Sequence, residues 1–125
     1  METMSDITKE QVERRQRAHR YESALNTRIT ATNTIPRLEE RRAHHATQVT
    51  VLDAMLKHAE TLDGTIDVSL TSLGGTVSGS ARMNLIALLD KARADQQRRV
   101  DTLDRDITKV RRDLKHAEDV IAELS

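Results

Sequence analysis

Ile86–Leu124, IALLDKARADQQRRVDTLDRDITKVRRDLKHAEDVIAEL, is the stretch that decides the fold. Every seventh residue from Ile86 reads Ile86, Arg93, Val100, Ile107, Leu114, Ile121, and the set three residues later reads Leu89, Gln96, Leu103, Val110, Ala117, Leu124. Ten of these twelve positions are apolar. A stripe with a period of about 3.5 residues has to be buried against another helix, which makes these the a and d positions of a coiled coil. The positions between them are mostly Arg, Asp, Lys and Glu, as a solvated helix surface requires. Ser80 can accept an orphan backbone N–H as N-cap, so the spacing predicts a helix over about 80–124.

Upstream, Leu38, Arg42, His45, Val49, Leu52, Leu56 and Ala59 repeat the same alternation of three and four. That run predicts a second helix over about 36–62, closed at Asp63-Gly64, where Gly can take the left-handed conformation that ends helices. A weaker set, Ile7, Gln11, Arg14, Ala18, Tyr21, Leu25, Arg28, Thr32 and Ile35, predicts a helix over about 6–33. Ser5 is its expected N-cap, and Thr8 with Gln11 forms a capping box one turn later. The two sets do not share one register, and the slip falls at Asn33-Thr34-Ile35-Pro36. Pro lacks an N–H and restricts the residue before it, so a break or sharp kink is expected near Pro36. Asn33 would cap the first helix, and Glu39-Glu40 would suit the first turn of the next.

The link between the second and third helices is of another kind. TLDGTIDVSLTSLGGTVSGS, residues 61–80, holds all four glycines and no Lys or Arg. Ile66, Val68 and Leu70 alternate with polar residues at the period of a strand, Leu73 follows, and Gly74-Gly75 suits a tight turn. A short β-hairpin or glycine-containing loop is expected at 63–79, with these four apolar residues at its tip. The fold class is therefore mostly all-α: a single domain over 1–125, built as a long antiparallel helical hairpin or coiled coil. Antiparallel pairing sets Leu56 near Ile86 and Leu52 near Leu89. Arg42 and His45 then fall near Gln96 and Val100, while Arg93 faces the region of Val49. The polar seam residues Arg42, His45, Arg93 and Gln96 gather in one layer, with Asp95, Asp101 and Glu39 as candidate counter-ions. An unpaired charge in a seam is expensive, whereas a single polar layer fixes register. The last part of the third helix, Ile107–Leu124, outruns the second and needs cover from residues 6–33 or from another molecule.

Composition narrows the function. Aromatics are 1% of the chain, Tyr21 alone, so the large rings that line pockets and anchor hot spots are missing. Twenty basic residues balance twenty acidic ones. A nucleic-acid binder usually shows a basic excess, so nucleic acid is not the expected partner, although Arg14, Arg15, Arg17 and Arg20 form the cluster where phosphate would bind. The chain has no Cys and five His, none in an i,i+4 pair, so no metal or other cofactor is expected. Gly74-Gly75 precedes a helix, yet no Lys follows at phosphate-loop spacing. Ser78 and Ser80 have no His or Asp at nucleophile spacing, and no catalytic residue is assigned. No run approaches the roughly 18 apolar residues of a membrane span. A soluble location is expected, in a cytoplasm or within a viral particle.

The expected function is a non-enzymatic structural or assembly protein, an oligomeric coiled-coil subunit of a larger complex such as a phage or virion. Its partners would be protein, including copies of itself. The order helix, short hairpin, helix also resembles a prefoldin subunit in architecture. That resemblance implies a chaperone or adaptor, with a hairpin platform at 65–79 and client-gripping tips at 1–15 and 115–125. There Ile7, Val12, Val120, Ile121 and Leu124 would serve.

Overall fold

A computed structural model describes residues 4–61 and 78–125, with side chains described for 8–60 and 82–125. Two helices pack against each other as a helical hairpin: α1, Met4–Thr61, and α2, Ser78–Leu124. Among the described residues there is no strand. The expected hairpin at 63–79, with Ile66, Val68, Leu70 and Leu73, lies outside them except for Ser78 and Gly79, which open α2. Helix α2 therefore starts two residues before the expected cap at Ser80, and α1 starts at Met4, ahead of Ser5.

The break at Pro36 is not there. Pro36 lies inside α1, which runs unbroken where two helices were expected. Neither Asn33 nor Glu39-Glu40 therefore marks a helix end. Pro36 removes the N–H that would bond the carbonyl of Thr32, but both residues are exposed, so water can donate to that carbonyl in place of the missing N–H. The Thr32 hydroxyl donates to the Arg28 carbonyl at 2.7 Å, and Thr34 does the same to Thr30. Hydroxyls that bond one turn back are compatible with the helix, although such bonds weaken it slightly and favour a bend.

The register slip dissolves with the break. The buried or half-buried residues of α1 include Ala24, Ala31, Ile35, Leu38, Arg42, His45, Val49, Leu52, Leu56 and Ala59. With Arg28 filling the remaining step, these form one alternation of three and four from Ala24 to Ala59. In the first stretch Ala24 and Ala31 are buried and the expected Leu25 and Ile35 are half-buried, whereas Arg14, Ala18, Tyr21, Arg28 and Thr32 are exposed. Alanine carries little apolar area, but it lets two helix backbones approach closely.

Contacts divide the chain into two compact units, Met1–Glu39 with Arg105–Ser125, and Glu40–Asp104. In the first, Ala24, Ala31, Ile107 and Ala117 are buried. The N-terminal part of α1 thus covers Ile107–Leu124 by continuing as the same helix. In the second, Val49, Ala59, Val100 and Leu103 are buried. Burying a Val or Leu side chain contributes about 1.5–3 kcal/mol, so these few residues carry much of the packing of each unit.

Candidate functional site

The eleven seam residues named from sequence are all at least half-buried. Val100, Leu103 and Ile107 are buried; Leu52, Leu56, Ile86, Leu89, Val110, Leu114, Ile121 and Leu124 are intermediate. They sit at a and d positions, with Arg42, Val49 and Leu56 at a, and His45, Leu52 and Ala59 at d. Facing helices of an antiparallel pair bring e positions together on one flank and g positions on the other.

The polar residues of the second unit spread over several turns of the seam. Arg42 Nε donates to Asp104 Oδ1, with a longer contact of 3.5 Å from Nη2 to Oδ2. His45 Nδ1 lies 2.6 Å from Gln96 Oε1. Arg93 Nε donates to Asp53 Oδ1. Arg93 thus lies against Asp53, one turn along from the expected Val49. The expected counter-ions are engaged elsewhere. Asp95 accepts from Arg98, Asp101 accepts from Gln97 Nε2 at 3.0 Å, and Glu39 in the first unit accepts from Arg111. The pairing acids are e-position residues, Asp53 and Asp104, which sequence reasoning did not single out. An a-position Arg is long enough to lay its stem along the seam and set its charge at the e edge, where these carboxylates stand. The side chains of both pairs are about half exposed, so water screens them. The hydrogen bond to Asp104, and then its charge, raise the pKa of Arg42 above the usual arginine value.

In the first unit a groove of about 410 Å³ is lined by His19, Arg20, Ala24, Asp113, His116 and Ala117 among others. Arg20 reaches Glu123 at 3.7 Å beside it. His44 and His45 meet edge to face, with ring centroids 5.3 Å apart. Among the described residues no group of three His, Asp or Glu side chains is arranged to hold a metal ion. None of the helices there is long and apolar enough to cross a membrane.

Large apolar side chains remain outside the seam. In the second unit these are Val51, Met55, Met83, Leu85 and Leu88, and in the first Val12, Tyr21 and Ile29. The heptad reading sought apolar residues only at a and d; it took Tyr21 as a seam residue and Val12 as a tip residue, and it passed over the other six. Scanning c and g for Leu, Met and Val would have found four of them. No protein family, curated protein or solved structure matches the chain.

Proposed function

We propose that this chain is a non-enzymatic assembly subunit, a coiled-coil hairpin that works by binding other protein along its helix faces within an oligomeric particle. The observation that carries the reading is the apolar surface left once the seam is filled. Leu88 is 66% and Met83 68% exposed, although both stand on a helix whose seam is already apolar. A two-helix seam covers the a and d stripes and little more, and clustered apolar residues beyond it mark contact sites. The balanced charge supports the same reading, because copies carry no net repulsion. Sedimentation equilibrium of the full chain over a wide dilution range tests it. A mass that is a multiple of 14.1 kDa is expected. A 14.1-kDa species at every concentration, with helicity intact, would sink the proposal.

A second reading, a chaperone-like arm, is favoured by the unbroken α1, which gives the order helix, linker, helix. It requires the chain to suppress aggregation of a chemically denatured client at near-stoichiometric ratio. No protection would remove it.

A further inference from the structure

We infer that the g flank of the second unit is the docking surface for a second copy of this chain, so that two hairpins close into a four-helix bundle around Val51, Met55, Leu85 and Leu88. This rests on the proposal that the chain acts through protein contacts, and it names both the surface and the occupant.

The two flanks of the seam differ in chemistry. Asp53 and Asp104, which hold Arg93 and Arg42, stand at e positions. On the opposite flank, α1 presents Val51 at c and Met55 at g, while α2 presents Leu85 at g and Leu88 at c. Their exposures are 40%, 50%, 41% and 66%. The spacing that sets Arg93 beside Asp53 places Met55 level with Leu88 and with the half-buried Ala92. The apolar side chains of both helices therefore form one strip.

Three observations select a second copy as the occupant. From Gln48 to His58 on α1 (His neutral), and from Leu85 to Ala92 on α2, the c and g positions carry no charged residue; Asp95, at the next c position, is paired with Arg98. A two-fold axis sets such a strip against itself with no like charges opposed, which is what an isologous interface needs. Homodimer interfaces are the more apolar class, with charge depleted at the core, and this strip has that composition. Twenty basic and twenty acidic residues leave no net charge to hold copies apart. Helices that add g to a and d present the wide apolar face of a bundle, where a two-stranded coil needs only the narrow seam.

The absence of cysteine permits a direct test. Leu88→Cys and, as a control on the carboxylate flank, Lys57→Cys are each placed in the full chain and treated with a short bis-maleimide. Leu88→Cys should give a covalent dimer as its main product, at least tenfold above Lys57→Cys. The double variant Met55→Glu/Leu88→Glu should keep its helicity, because both side chains are exposed, and weaken self-association at least about 100-fold. If the wild type is oligomeric but the double variant keeps its mass, or Lys57→Cys cross-links as well as Leu88→Cys, the flank is wrong while the oligomeric proposal stands. A wild type that is monomeric throughout overturns both. A monomer that binds a different protein through Leu88 overturns the choice of occupant.

Discussion

Two neighbouring substitutions separate the register of the first half of α1 from its alternative. Ala31 is 3% exposed, while Thr32 beside it is open to solvent. Glutamate at Ala31 forces extra atoms into a packed seam, which costs about 1–3 kcal/mol, and brings a carboxylate into a partly dry site. Glutamate can bend its head toward a flank, so the net loss should be about 2–4 kcal/mol. The same residue at Thr32 loses only a hydroxyl bonded to the Arg28 carbonyl and should change stability by no more than about 0.5 kcal/mol. The chain is small, so the first change should lower the melting temperature by roughly 10–20 °C and the second by roughly 2 °C. Thermal unfolding followed by far-ultraviolet circular dichroism, at one protein concentration, measures both. Glutamate differs little from Thr and Ala in helix propensity on this scale, so the contrast reports burial. Equal shifts, or a larger one at Thr32, would refute the continuous register and restore a seam through Leu25 and Thr32.

Four further outcomes are expected. Leu103→Asp, at a position 5% exposed, should abolish cooperative unfolding, and wild-type helicity and melting would dismiss the seam. Pro36→Ala should raise the melting temperature, because an alanine N–H can bond the Thr32 carbonyl and Ala exceeds Pro by about 3 kcal/mol in helix propensity; an unchanged or lower value would mean α1 is not continuous there. His45→Leu combined with Gln96→Leu should stabilise the hairpin while loosening its choice of register, read as a higher melting temperature with a broader sedimentation profile; destabilisation would show that the polar pair contributes stability. The raised pKa of Arg42 gives a contribution fully present below the usual arginine value and lost only as pH climbs through the raised one. Asp104→Asn should therefore lower stability by a similar amount at pH 7 and pH 9, with the difference shrinking in high salt; a difference that changes sharply between those pH values would contradict the pairing.

Helix α2 was legible because its stripe is built of Ile, Leu and Val, whose size makes the period plain. The first half of α1 was not, because its seam uses Ala24 and Ala31 while larger residues, Leu25 and Ile29, stand beside them. A reading weighted by hydrophobic bulk follows Leu25 and drifts one position out of phase. The drift then meets the true register near Pro36 and looks like a break. Proline strengthened the error, because its missing N–H and its ring weaken a helix by about 3 kcal/mol, yet that cost does not end a helix whose seam is packed on both sides of it. Antiparallel pairing alone placed His45 near Gln96, but the single layer expected around them is spread over several turns. The identity of the arginines' counter-ions did not follow from the pairing, since it depends on which flank an a-position Arg leans toward.

That lean links the seam to the surface around it. Arg42 and Arg93 occupy a positions and cannot stay inside a narrow apolar seam, so each extends to the nearer edge and meets an e-position carboxylate. The result is a hydrated, charged flank. A further helix packing there would have to strip water from both ion pairs, and the attraction within a pair rarely repays that loss in full. The opposite flank carries Val51, Met55, Leu85 and Leu88 and offers no such penalty. In the proposed docking, the two arginine–aspartate pairs disfavour association on their side of the seam and so direct it to the other. Reversing the asymmetry should reverse the preference. Asp53→Leu with Arg93→Leu should open the e flank to packing, and cross-linking at Lys57→Cys in that background should rise toward the level of Leu88→Cys. If Lys57→Cys stays unreactive there, the arginine–aspartate pairs do not choose the docking side.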